Sequence, residues 1–282
     1  MNLRADTHDP LAVAAQVRGD YLAMFPDGDR QFVPRAFSWA LDCFTGRDHE
    51  FLPIDARYHD LEHTLQGTLC LSTLLRGWHE TGSEPLLTRK AFELCLLAIL
   101  LHDTGYLKRR EDTSGTGAKY TLTHVNRSCD FAERLLGSHG YGPEETLAVK
   151  NMIRCTGMGT NVAAIPFQSQ IERVCGFALG TADLLGQMAA EDYVDKLPTL
   201  YDEFVESGRF NGNNGAVGFT SVEDLMRKTP LFWEKYVLPK VQNDFLGVYR
   251  CLAQSMTAGR NFYLERIEAN LDRLKQRVAI AA

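Results

Sequence analysis

Apolar residues recur along the chain at spacings of three and four, and no run alternates apolar and polar β-branched positions, so the pattern predicts an all-α fold. Helices are expected over Pro10–Phe25, Pro34–Phe44, Tyr58–Trp78, Leu87–Asp103, His124–Leu136 and Pro143–Cys155. Further helices are expected over Ile171–Ala189, Tyr193–Glu206, Val222–Met226, Leu231–Gln254 and Arg260–Val278. Several open on a proline, which is tolerated in a first turn that needs no N–H there. Pro239 lies inside one of them and is expected to kink or interrupt it, because its ring clashes with the preceding turn and its nitrogen has no proton to donate. Two stretches read as loops: Lys108–Lys119, centred on Ser114, Gly115, Thr116 and Gly117, and Gly208–Gly218, which holds Asn211, Gly212, Asn213, Asn214 and Gly215. The first loop carries Lys108, Arg109, Arg110 and Lys119. It reads equally as a lid with phosphate-binding cations or as a solvated surface connection.

Composition narrows the classes. At 282 residues, 45% of them apolar and 23% charged, the chain is expected to form a single helical domain over 1–282 with a sizeable core. Thirty Lys and Arg against 36 Asp and Glu give a net charge of -6, with no long basic block, so no nucleic-acid polymer is expected as a partner. The longest apolar run, Leu94–Leu101, is far short of the roughly 20 residues that cross a bilayer. The polar N-terminus lacks the apolar segment of a signal peptide, so a cytoplasmic protein without a membrane partner is expected. Seven cysteines with no Cys-x-x-Cys pair read as reduced, mostly buried side chains.

Three elements carry chemistry. His102 and Asp103 end the apolar run of the fourth helix, and a helix apolar all round is buried, which places both polar groups at the core. An ionised carboxylate there needs a cation, a metal or strong donors. His59 and His63 stand four residues apart in Tyr58-His59-Asp60-Leu61-Glu62-His63, a spacing that on a helix puts both imidazoles on one face and recurs in metal sites. Asp183 follows Gly176 and Gly180 in a third apolar helix, where the small residues allow close approach by a neighbour and the mid-helix position argues against a cap. His63, His102, Asp103 and Asp183 together form a mixed nitrogen and oxygen donor set suited to Mn, Fe, Zn, Co or Mg.

In that order, Tyr58-His59-x-x-x-His63, His102-Asp103-x-Gly105-Tyr106 and Asp183 resemble the HD-domain superfamily of metal-dependent phosphohydrolases, and the first motif is similar to that of class I cyclic-nucleotide phosphodiesterases. The resemblance implies an HD-type helical bundle with a metal-binding core over about 56–190, additional N-terminal helices and a C-terminal helical extension over about 191–282. It implies that His63, His102, Asp103 and Asp183 hold a first divalent ion, that Asp103 bridges to a second, and that His59 is the general acid. His124 is placed like the histidine that binuclear members give the second ion; the alternative is a helix-terminal residue without a catalytic part. Arg57, Lys108, Arg109 and Gln187 are the candidate substrate contacts. Asp60 stands where the phosphodiesterases carry Asn, and Thr104-Gly105 replaces their histidine-bearing continuation, so the kind of phosphoester stays open.

The implied activity is hydrolysis of a small-molecule phosphodiester or phosphomonoester, a nucleotide among them, by metal-activated water, with Asp103 and His59 at the reacting centre. A non-catalytic HD module that binds a nucleotide or signalling partner is the first alternative, and an HD-type diiron oxygenase the second. A homo-oligomer is compatible with the chain.

Overall fold

The computed structural model describes residues 5–212, 218–253 and 259–281, and throughout them the fold is all-α. The helices are α1 (Pro10–Met24), α2 (Phe32–Phe44), α3 (Leu61–Glu80), α4 (Arg89–Leu101) and α5 (His124–Ser138). They continue with α6 (Pro143–Ile153), α7 (Gln170–Met188), α8 (Tyr193–Phe210), α9 (Val222–Phe232) and α10 (Phe262–Ala281). Among the described residues, extended pairing is confined to one antiparallel bridge between Phe51 and Arg109.

The centre of the fold is α3 packed along α7, with α4 lying against both. Side chains from His63 to Leu75 are buried without interruption on α3, and those from Leu94 to Leu101 on α4. On α4 an unbroken apolar run has this result, because a helix without a polar face is stable only when other helices surround it. The buried stretch of α3 also holds His63, Thr64, Gln66, Thr68, Ser72 and Thr73, and Thr68 and Thr73 satisfy their hydroxyls on the carbonyls four residues back. Helix α1 covers α3, α6 packs on α4 and α7, and α10 closes over α7, α8 and α9. One contiguous apolar cluster runs from Val13 to Leu274, so the C-terminal helices share the core that the first helices build.

Helix α7 approaches α3 at two glycines. A Cβ on Gly186 would lie 2.9 Å from the Gln66 carbonyl oxygen and 3.0 Å from the Gly67 Cα. The glycines singled out in the sequence serve a similar purpose elsewhere on α7, since a Cβ on Gly180 would meet Phe245 and the Cys155 carbonyl, and one on Gly176 would meet Cys155 and Phe167.

The stretch expected as one helix over Leu231–Gln254 is broken, and its last residue, Gln254, lies outside the described residues. Helix α9 runs through to Phe232, and wider π-helical turns at Trp233–Val237 and Lys240–Asp244 flank Pro239. The chain then reverses at Leu246 and Gly247, both with positive φ, before a short 3₁₀ segment at Val248–Ala253. Proline removes one rung of the hydrogen-bond ladder, and widened turns absorb the mismatch. Helix α8 extends past the expected Glu206 to Phe210, which takes up the start of the loop expected over Gly208–Gly218; residues 213–217 of that loop lie outside the described residues.

The α3–α7 contact yields a stability test. Gly186→Ala should lower the melting temperature by several degrees, a cost of about 1–3 kcal/mol for forcing backbone apart. Gly137→Ala, where a Cβ meets nothing within 4 Å, should leave it unchanged or raise it.

Candidate metal centre

His63 is placed by a helix cap. The Asp60 side chain accepts a hydrogen bond from the His63 amide at 2.9 Å and starts α3 at Leu61. This corrects one expectation: the helix does not begin at Tyr58, so His59 precedes it and the two histidines are not on one helical face. Asp60 is a stronger cap than helix former, and its extended backbone takes the preceding residues off the helical path. The two imidazoles nevertheless lie with ring centroids 5.3 Å apart.

His102 and Asp103 are placed by the end of α4. The chain leaves the helix at His102 and enters a tight 3₁₀ turn at Thr104–Tyr106. Gly105 is required there, because a Cβ would lie 2.0 Å from the His124 carbonyl oxygen. The Gly105 amide donates to the Ser128 hydroxyl at 2.8 Å, and the Arg127 guanidinium donates to the Gly105 and Leu107 carbonyls, each at 2.7 Å. The first turns of α5 are thereby clamped onto the His-Asp turn, and His124 arrives beside Asp103.

Four donor atoms meet. His63 Nε2 lies 3.3 Å from Asp103 Oδ2 and 3.2 Å from Asp183 Oδ1, while His102 Nε2 lies 3.3 Å and 3.4 Å from the same two oxygens. Donors that share one ion at about 2.0–2.2 Å are separated by roughly 3.0–3.5 Å, so these spacings suit a single cation. His63, His102 and Asp103 each offer an atom within 4.8 Å of the others, and Asp183 reaches both imidazoles from α7. His102 Nδ1 lies 2.7 Å from the Ile99 carbonyl, which can only accept, so Nδ1 keeps its proton and the neutral form of the ring offers its lone pair at Nε2. His102 Nε2 and Asp103 Oδ2 are buried without a hydrogen-bonded partner despite their proximity. Buried polar atoms are nearly always bonded, and two adjacent orphans of complementary ligand type fit a divalent metal. His124 Nε2 stands 3.9 Å from the other Asp103 oxygen, Oδ1, so this carboxylate faces His63 and His102 with one oxygen and His124 with the other.

The charges point the same way. Burial alone would push the His102 imidazole down, but Asp103 and Asp183 outweigh it and lift it to about 9. Burial opposes ionisation of Asp103 and Asp183 as well, yet the neighbouring imidazoles hold both carboxyls below their ordinary range. Two buried carboxylates thus call for positive charge, which imidazolium protons or a divalent ion supply. His124 is pushed down, chiefly by burial, and keeps a neutral ring available as a ligand.

Solvent reaches the centre from the side of His59 and His124, whose side chains are 15% and 19% exposed against 4% and 1% for His63 and His102. On another side, a crevice lined by Tyr58, His63, Gln187, Tyr193 and Lys196 has a volume of only about 10 Å³, room for about one water.

His59 is held by a residue that sequence reasoning missed. Glu203 of α8 is buried, accepts the Tyr58 amide at 2.7 Å and lies 2.6 Å from His59 Nδ1. Burial would push the His59 ring down, but Glu203 outweighs it and raises it. A glutamate in a long amphipathic helix carries no mark that separates it from a solvated one; only the fold shows its burial. Gln187 belongs to the same neighbourhood: it accepts from the Tyr58 hydroxyl at 2.9 Å and donates to the Asp183 carbonyl at 3.0 Å.

Lys108 and Arg109 are engaged elsewhere. Lys108 is buried and bonds Asp55 at 2.8 Å and the Gly115 carbonyl at 2.6 Å, Arg109 faces Glu50 and the Phe51 ring, and Arg57 is exposed. The loop from Lys108 to Lys119 is pinned by Lys119 to Asp112, by Gly117 to Asp55 and by Thr116 to Glu206.

Metal should therefore stabilise the fold by binding the native state alone. Added Mn or Zn ions should raise the melting temperature of the chelator-treated protein, and Asp183→Ala should abolish the rise. An equal rise in Asp183→Ala would remove Asp183 from the ligand set.

No curated protein matches the chain. Residues 49–264 match the pattern of the Npun_R2479-like family, a span that includes His59, His63, His102, Asp103, His124, Asp183 and Glu203. With its central helices and every residue of the centre inside that match, the chain belongs to the Npun_R2479-like family.

Proposed function

We propose that the protein is a metal-dependent hydrolase of small phosphoesters. The observation that carries the reading is the convergence of His63, His102, Asp103 and Asp183, with His102 Nε2 and Asp103 Oδ2 orphaned between them. These four side chains would hold one divalent ion of the Mn, Fe, Zn, Co or Mg group, and His124 with Asp103 Oδ1 a second. Bound there, such ions supply Lewis acidity at a phosphoryl oxygen and a hydroxide nucleophile at neutral pH.

The chain's own residues supply the rest. Glu203 holds His59 Nδ1 and favours the protonated ring, which leaves Nε2–H free to donate to the departing ester oxygen. The exposed edge of the centre lies beside His59 and His124, so a substrate entering there meets the acid first. Buried walls formed by α3, α4 and α7 exclude water from the opposite side. All seven cysteines are buried and none forms a disulfide, which suits a reaction in the reducing cytoplasm.

The test separates the acid from the metal. His59→Ala should keep its metal content and lose about a hundredfold to ten-thousandfold in activity on an alkyl phosphoester, whose leaving group needs a proton. A nitrophenyl phosphoester should suffer much less. Equal losses on both, or loss of metal, would contradict the acid role, and absence of hydrolysis by the metal-loaded wild type across mono- and diesters would refute the function.

A further inference from the structure

Three nitrogens face Asp183 Oδ1: His63 Nε2 at 3.2 Å, His102 Nε2 at 3.4 Å and Gln187 Nε2 at 3.5 Å. An imidazole donates to this oxygen only while its Nε2 carries a proton. Once that nitrogen turns a lone pair to a cation, it donates nothing to Asp183. Of the three, the Gln187 amide then remains as the donor. Its contact is longer than an ordinary hydrogen bond, so it depends on how firmly the amide is held.

The amide is held at both ends. The Asp183 carbonyl can only accept, so the amide atom 3.0 Å from it is Nε2, and Oε1 is left to the Tyr58 hydroxyl, which donates to it at 2.9 Å. Were the amide to flip, both bonds would be lost and an oxygen would face Asp183. Tyr58 is itself fixed, since it is only 3% exposed and its backbone amide donates to Glu203 at 2.7 Å. The crevice beside Gln187, lined also by Tyr58, His63 and Lys196, has a volume of only about 10 Å³, which leaves no room for an ester.

We infer that Tyr58 and Gln187 are positioning residues for the metal centre and not substrate contacts: the phenol sets the amide, and the amide keeps Asp183 Oδ1 turned towards His63 and His102. The inference rests on the metal centre of the hydrolase reading and adds the pair that keeps its α7 ligand in place. Tyr58 thereby joins the two halves of the site, because its backbone is held by the same Glu203 that holds His59 Nδ1. Groups that orient metal ligands in this way typically contribute about tenfold to a hundredfold in metal affinity.

Tyr58→Phe, which preserves the ring, Gln187→Leu and the double variant test this against wild type. The chelator-treated proteins are titrated calorimetrically with Mn and Zn ions, and each is shown by its metal-free melting curve to be folded before titration. Each single variant is expected to raise the metal Kd about tenfold to a hundredfold. The double variant should raise it no further than Gln187→Leu does, because the phenol acts through the amide. A Kd unchanged in Tyr58→Phe and Gln187→Leu, with wild type binding metal, would overturn the inference and leave the hydrolase reading standing. Fully additive losses in the double variant would overturn it as well, since the two side chains would then act separately. A wild type that binds neither ion would overturn both readings.

Discussion

The close crossing of α3 and α7 is the constraint on which the rest of the structure depends. Gly186 lets α7 approach until its backbone touches that of Gln66 and Gly67, and only at that separation does Asp183 reach the imidazole of His63 at 3.2 Å. Helix α4 then lies against both and delivers His102 and Asp103 at the point where it ends. Three helices buried against one another bring four polar side chains together, from the first turn of α3, the end of α4 and the middle of α7.

Such a cluster is costly unless its charges are balanced. Two carboxylates in the core would destabilise the fold if unpaired, and the histidines that face them offset the charge by taking up protons or by joining a metal. The balance extends outwards in a chain of paired groups. Glu203 faces His59, Gln187 holds the Asp183 carbonyl and Tyr58, and Lys196 answers Glu62 and Asp192 at the rim. Each outer group restrains the orientation of an inner one, as the surroundings of metal ligands generally do. Helix α8 supplies Glu203, so the C-terminal helices are part of the centre and not only a cover for the core.

Much of this was legible in the sequence where chemistry conflicts with periodicity. His102 and Asp103 stand out because they close an apolar run, and Asp183 because it interrupts one. His63 stands out by its spacing from His59, although the premise failed: Asp60 caps the helix and leaves His59 outside it. What could not be read depends on distant chain segments. Glu203 looks like any helical glutamate, the close approach needs Gly186 rather than the Gly176 and Gly180 that drew notice, and Lys108 and Arg109 resemble free cations until Asp55 and Glu50 are placed beside them. Pro239 announced a break but not its form, two π-helical turns and a reversal at Leu246.

The central claim is that the fold assembles a metal centre at the meeting point of α3, α4 and α7. Crystals of the protein as purified, measured at the absorption edges of Mn, Fe, Co and Zn, test it most directly. The account predicts an anomalous peak about 2.0–2.2 Å from His63 Nε2 and His102 Nε2, with oxygens of Asp103 and Asp183 completing the same sphere. A map from metal-supplemented crystals with no peak there, and with His102 Nε2 bonded to Asp103 instead, would contradict it.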